Sequence, residues 1–231
     1  MSILGAAAYG LHRYLYRSED FLVKTIRVEG TRGIDPKDIV KTAGITTADS
    51  IMRIDVERVE ETLVRTIPYV KSCSVTRCFP DTVIISVEER TATATLLVDG
   101  HAFEIDPDGV ALQELPSNAV HEGPYISNVP DLGVVQIGDH LTQPALAAAL
   151  EVWSAFSKMS ISREVTVSEL SAVSPNEIRM YCDELPYEVR WGRREFDAEA
   201  ARFDLLWRTK NKQLGCAEYL DLRFGEDLAC K

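Results

Sequence analysis

The sequence predicts an α+β protein, with a small β-α-α-β-β module followed by a larger, mostly antiparallel β domain with two flanking helices. Three observations lead there. Residues Phe21 to Arg90 hold a hydrophobic strand, two short helical stretches and two alternating strands. From Thr91 onward the pattern is largely β, with turn signals at Asp99-Gly100 and Asp106-Pro107-Asp108-Gly109. Helical stretches opening at Pro144 and just after Gly192-Arg193 interrupt it. The chain therefore divides into a leader, residues 1–20, the small module, 21–90, and the β domain, 91–231.

In the module, Ile26 and Val28 share one face of the first strand while Thr25, Arg27 and Glu29 share the other. Gly30 ends it. Asp35-Pro36 reads as an N-cap with proline at the first helical position, and Gly44 stands where a left-handed C-cap belongs. Asp55 caps the second helix, whose Val56, Val59, Leu63 and Ile67 form one apolar stripe. Glu57 near its start and Arg65 near its end suit the helix dipole. Glu57, Glu60 and Glu61 read as its solvated face. Pro68 stops it. Cys73 and Val75 then mark one face of a strand, Val83, Ile85 and Val87 one face of the next, with Pro80-Asp81 as the turn between them. Three one-sided strands and two helices can close one small core. The open sheet face and the sheet edges stay available to partners.

In the second domain, Ala94–Val98 and Ala102–Ile105 flank a favourable hairpin turn. Ser117 to Asp131 reads as a loop. The Pro144 helix carries Leu146, Leu150 and Trp153 on one face. Strands are expected at about Thr166–Leu170, Ile178–Cys182 and Glu188–Trp191. The next helix buries Phe196, Ala200, Phe203 and Leu206, with Trp207 widening the stripe. Tyr219-Leu220-Asp221-Leu222-Arg223-Phe224 is the expected last strand. Its Leu220 and Leu222 point inward, which leaves Tyr219, Asp221, Arg223 and Phe224 for solvent or a partner. It reads either as an ordinary edge strand or as an edge offered for β-augmentation by another chain.

A net charge of −11 over 231 residues excludes a protein built to neutralise phosphates, so no nucleic-acid partner is expected. The uncharged run Ile3–Leu11 spans roughly 13–14 Å as a helix, under half of a ~30 Å hydrocarbon core. It reads as the outer half of a membrane span or as an amphipathic leader. Tyr14 and Tyr16 beside Arg13 and Arg17 suit a membrane interface.

Chemistry finds little support. Four histidines, His12, His101, His121 and His140, are scattered, two of them in expected turns. No phosphate loop, zinc-protease helix or nucleophile elbow is present. Glu88-Glu89 beside Arg90 reads as a strand boundary. Five cysteines, an odd number without regular spacing, argue against a disulfide scaffold, and Cys73 and Cys78 lack partners for zinc. No metal, cofactor or small-molecule substrate is expected. A pocket gathering two or more titratable groups would reopen an enzymatic reading.

Val23, Ile26, Val28, Gly30, Ile54-Asp55, Pro68-Tyr69-Val70, Arg77, Pro80 and Val87-Glu88-Glu89-Arg90 together resemble a POTRA domain of the bacterial division proteins FtsQ and DivIB. Ile105-Asp106 and Gly109-Val110 match that family's short hairpin, and Tyr219–Phe224 its closing Y-x-D-L-R-[YF] motif. The resemblance implies a non-catalytic divisome scaffold, held in the inner membrane by a single span with both domains outside the cytoplasm. It implies other membrane division proteins as partners, with a small coiled-coil division protein received at Tyr219, Leu220, Asp221, Leu222, Arg223 and Phe224. The alternative is a POTRA-bearing secretion or outer-membrane assembly component.

Overall fold

The structure, a computed structural model, describes residues 5, 7, 9, 10, 12–14, 18–116, 119, 123–192, 195–210, 214–224 and 229–231. Its contacts separate two compact units, Met1–Arg90 and Thr91–Lys231.

The first unit contains strands β1 (Thr25–Glu29), β2 (Val70–Cys78) and β3 (Thr82–Glu89) and helices α1 (Pro36–Ala43) and α2 (Val56–Thr66). The sheet order is β1-β3-β2, with β1 parallel and β2 antiparallel to β3. Both helix starts follow the sequence. The Asp35 carboxylate accepts the Lys37 N–H at 2.8 Å, and that of Asp55 the Arg58 N–H at 3.2 Å. Gly44 closes α1 at φ 66°. Gly30 is required for a different reason. A Cβ there would stand 2.1 Å from the Val87 carbonyl oxygen, so only glycine lets β1 leave the sheet against β3. Ile39, Ile51, Leu63, Val83 and Ile85 are fully buried and make the core. Each contributes about 1.5–3 kcal/mol by leaving water.

Two acidic residues depart from their expected roles. Glu60 does not lie on a solvated face; it is half-buried and accepts the Val75 N–H at 2.6 Å, covering part of the outer edge of β2. Glu89 is no mere strand boundary. Its carboxylate accepts the backbone N–H groups of Arg32 at 2.9 Å, Gly33 at 2.9 Å and Ile34 at 3.0 Å, clamping the loop between β1 and α1 to the end of β3. Neither role is local in sequence, so periodicity alone could not show it.

In the second unit, β4 (Ala94–Val98), β5 (His101–Ile105), β6 (Ala111–Leu115), β7 (Tyr125–Ser127), β8 (Val167–Ser174), β9 (Glu177–Cys182), β10 (Glu188–Trp191), β11 (Tyr219–Asp221) and β12 (Ala229–Cys230) form one sheet. Its order among the described residues is β12-β11-β10-β9-β8-β7-β4-β5-β6. The pairs β4–β5, β5–β6, β8–β9, β9–β10 and β11–β12 are antiparallel; β4–β7, β7–β8 and β10–β11 are parallel. The α+β class and the mostly antiparallel second domain hold. One expectation fails: β7 lies inside the tract read as a loop. It has three residues and two distant parallel partners, and its buried Ile126 has no neighbours to make a period. His101 likewise opens β5 instead of sitting in the turn, and the other turn histidine, His121, lies outside the described residues.

Helices α3 (Pro144–Ser157) and α4 (Phe196–Thr209) pack on each other, and α3 packs on β8 and β9. Leu146 and Leu150 of α3 are buried and Trp153 half-buried, as are Phe196, Ala200, Phe203 and Trp207 of α4 with Leu206 half-buried. Phe156, Trp191 and Phe203 meet with ring centroids 6.2–6.5 Å apart, two of the three contacts edge-on. The Asp204 carboxylate accepts the Ser160 hydroxyl at 2.6 Å and the Ile161 N–H at 2.8 Å, holding the turn after α3 against α4.

Burial works to raise the Glu89 carboxyl pKa, but the three backbone donors more than reverse it and the group titrates below its ordinary 4.5. A depressed carboxylate stabilises fully above the unfolded value, and that contribution is lost as pH falls through the lower folded value. Glu89→Ala should therefore cost about 1 kcal/mol at neutral pH, because three hydrogen bonds to a charged acceptor are lost while the exposed Arg32 and Gly33 donors turn to water. Urea unfolding at pH 7 and pH 3 checks it: the cost should shrink in acid.

Candidate partner-binding edge

The sextet Tyr219–Phe224 divides between a strand and a turn. Tyr219–Asp221 form β11, and the Leu222 N–H extends the pairing by donating to the Arg190 carbonyl at 3.0 Å. Arg223 and Phe224 lie in a turn, and residues 225–228 are outside the description. This strand is not the edge, contrary to expectation. β10 pairs with it in parallel on one side, Val189 opposite Leu220, and β12 pairs antiparallel on the other, Leu220 opposite Cys230. Among the described residues the outermost strand here is β12. Its seat is reinforced by the Lys231 N–H, which donates to the Tyr219 carbonyl at 3.1 Å, and by the Cys216–Cys230 disulfide.

The disulfide corrects the reading of the five cysteines. Two residues 14 apart meet because β12 folds back along β11, a pairing that spacing alone does not announce. Cys73, Cys78 and Cys182 remain free thiols, and burial pushes the Cys182 thiol up to about 12, which leaves it inert.

Alternation sorts the side chains. Leu220 and Leu222 are buried in the same apolar cluster as Val189, Trp191 and Phe203. On the opposite face, the Tyr219 ring lies beneath the Arg190 guanidinium, 4.0 Å from centroid to Cζ. Arg190 in turn donates to Glu188 at 2.6 Å, and Glu188 also accepts the Tyr181 hydroxyl at 2.9 Å. Asp221 is not left for solvent; it is 2% exposed. Its carboxylate accepts from Arg223 three times, from the backbone N–H at 3.1 Å, Nε at 2.9 Å and Nη2 at 2.6 Å. Of the two internal partners open to Arg223, the strand aspartate takes it; Glu177 stands further off at 3.8 Å. Burial alone would raise the Asp221 pKa, but the Arg223 hydrogen bonds and charge outweigh it and hold the carboxyl low. Phe224 follows, 55% exposed and 6.0 Å from the Arg223 guanidinium.

Sequence reasoning missed the support behind this turn. Gly192 follows β10, and a Cβ there would stand 2.1 Å from the Asn176 carbonyl oxygen, so glycine is what lets β10 pass that carbonyl, with the Arg223 stem close beside it. Its N–H donates to Glu199 of α4 at 3.2 Å, and Arg202 donates to the Leu222 carbonyl at 3.2 Å. Glu199 is 3% exposed, and burial pushes its carboxyl up to about 7 against the pull of Gly192 and Arg202. The signal was present as Glu199 between Phe196, Ala200 and Phe203, an acid inside an apolar stripe.

An open groove of about 650 Å³ lies elsewhere in this unit, among Tyr125, Trp153, Arg163, Thr166, Asp183 and Glu184. It does gather titratable groups, and two of them, Glu184 and Glu164, serve the fold. Glu184 accepts the Thr166 N–H at 2.7 Å and hydroxyl at 3.0 Å, while Glu164 at the rim accepts the Trp207 indole N–H at 3.0 Å. Among the described residues, no three His, Cys, Asp or Glu side chains are grouped to hold a metal ion.

A two-helix, three-stranded module and a mixed sheet backed by two helices define the class: a POTRA domain joined to a β domain. Residues 21–90 match the family model of the FtsQ-type POTRA domain, and residues 92–223 that of the FtsQ/DivIB C-terminal domain of cell division proteins. The chain is 27% identical to a cell division protein FtsQ of Syntrophotalea carbinolica across 96% of its length and 77% of the relative's. It is 20% identical to that of Geotalea daltonii, across 100% of this chain and 83% of the relative, and 22% to that of Geobacter sp. strain M21, across 99% and 82%. The chain belongs to the FtsQ/DivIB family of bacterial cell division proteins.

Two measurements test the edge. A raised carboxyl pKa means that the folded state holds its proton more tightly, so Glu199 lowers stability as pH rises from 4.5 to about 7. Glu199→Gln should raise Tm above pH 7 and flatten that slope, as read by thermal scans across the range. Reducing Cys216–Cys230 frees a short loop, worth about 3 kcal/mol in the chain-entropy account. Amide exchange at Tyr219 and Lys231 should speed up on reduction while that in β8 and β9 stays slow.

Proposed function

We propose that this protein is a non-catalytic scaffold of the divisome, linking membrane division proteins during septum assembly through its POTRA module and its C-terminal edge. A divisome role, association with the membrane and interaction with other division proteins follow from the family. The finer reading concerns where partners sit. The observation that carries it is the outer edge of the second sheet: among the described residues β12 is the outermost strand there, with Arg223 and the exposed Phe224 in the turn that follows β11. A partner strand laid beside β12 would gain affinity from backbone hydrogen bonds and specificity from Tyr219, Arg223 and Phe224. Leu220, Asp221 and Leu222 act from beneath, setting the height and direction of those side chains. A small coiled-coil division protein with an extended segment is the partner this edge fits. In the POTRA module, Glu60 occupies part of the β2 edge, which leaves β1 and the open sheet face as the surfaces for a second partner.

A single span upstream of Ser18, with both units outside the cytoplasm, completes the proposal. The Cys216–Cys230 disulfide supports that side of the membrane, since disulfides persist in oxidising compartments. Among the described residues no helix is long and apolar enough to cross a membrane. The secretion alternative is not favoured, because membership of the division family accounts for both domains.

A tagged chain retrieved from membranes tests the edge. The wild type should recover a small coiled-coil division protein, and Phe224→Ala should lose it while its circular dichroism stays unchanged. Arg223→Glu should lose it too, with some loss of stability because Asp221 would be left buried beside a like charge. Unchanged recovery with Phe224→Ala would move the site to the POTRA module.

A further inference from the structure

The parallel pairing of β1 and β3 sets which residues lie at which end of the first unit. Thr25 opens β1 opposite Thr82, which opens β3. The turn before β3, Phe79-Pro80-Asp81, therefore lies at the end where the chain arrives from its N-terminal segment. Backbone bonds tie the two together. The N–H groups of Lys24 and Thr25 donate to the Asp81 carbonyl at 2.8 and 3.2 Å, and Lys24 Nζ stands 3.2 Å from the Asp81 carboxylate. Upstream, Tyr14 packs edge-on against Phe21 with ring centroids 5.9 Å apart, and the uncharged run Ile3–Leu11 precedes it.

At the tip of that turn Phe79 is 57% exposed and belongs to no packed cluster. Two residues before it, Arg77 is exposed as well. Asp81, the acid of the turn, is already paired with Lys24, so Arg77 carries the charge of the tip. An exposed aromatic beside an exposed cation, at the end that faces the arriving membrane segment, has the chemistry of the lipid headgroup boundary. Phe79 gains by leaving water there, and Arg77 can reach lipid phosphates while its stem stays in the boundary.

We propose that the Phe79-Pro80 turn is a second, peripheral contact with the bilayer. This rests on membrane association through the residues before Ser18. One tether leaves the module free to tilt. Two contacts at one end restrict that tilt and point Glu89 and Arg90, at the far end of β3, away from the lipid. The surface is committed to lipid and not to a protein strand because it is a turn tip, with no open backbone edge to offer.

The test places a fluorophore at the tip. Phe79→Trp and, as a control on α2, Val64→Trp are each compared with the parent chain, whose Trp153, Trp191 and Trp207 supply a common background. The probe is vesicles of phosphatidylethanolamine and phosphatidylglycerol, with and without brominated acyl chains. The expected result is a blue-shifted difference spectrum for Phe79→Trp, quenched by brominated lipid, with neither change for Val64→Trp. Arg77→Glu in the Phe79→Trp chain should weaken the quenching several-fold, and added salt should weaken it in the parent pair but not in that double variant. Sedimentation with vesicles reads membrane association by itself. Sedimentation with an unshifted, unquenched signal at position 79 overturns the tip contact alone and turns the search to a protein that covers Phe79. Failure to sediment overturns the tip contact together with the membrane association beneath it.

Discussion

Burial of Leu220 and Leu222 is the constraint from which the candidate edge follows. Both lie in the cluster that holds Trp191, Phe203 and Phe156, and a strand offers only two faces. Once those leucines point inward, Tyr219 and Asp221 must stand on the other side of β11. Asp221 then sits where water cannot reach it, which makes the Arg223 guanidinium its necessary partner. That pairing fixes the turn in which Phe224 is displayed. Apolar packing on one face thus positions the polar groups on the other.

Sheet edges receive opposite treatment in the two units. In the first, Glu60 reaches from α2 to take the Val75 N–H and interrupts the row of free groups along β2. In the second, β12 is added outside β11 and held there by Cys216–Cys230. A two-residue strand has too few hydrogen bonds to persist alone, so the covalent link supplies what its length cannot. Among the described residues no strand lies outside β12, and that difference is why this edge, and not β2, is the surface proposed for strand addition.

The first unit was legible in the sequence almost throughout, because its signals are local. Asp35-Pro36 and Asp55 announce helix starts, Gly30 and Gly44 announce ends, and Val83, Ile85 and Val87 alternate without interruption. The second unit was legible where elements are long, as in α3, α4 and β9, and not where they are short. In β7 a single buried Ile126 has no neighbours to make a period with. In β12 the two residues acquire meaning only from β11. The edge itself was half-read: the inward pair Leu220 and Leu222 was visible from alternation, while the burial of Asp221 and the strand beyond it were not.

By itself the sequence determined the fold class, the order of the longer elements, the caps of the first unit's helices and the faces they bury, because each depends on residues within about a turn of one another. It also carried the family, through motifs spread from Val23 to Phe224. Tertiary structure decided the rest: which strand is outermost, which two cysteines meet, which donors Glu89 and Glu60 satisfy, and how far burial raises Glu199. All of these depend on groups brought together from distant parts of the chain, and a buried charge or an open edge is a property of that assembly and not of any residue within it.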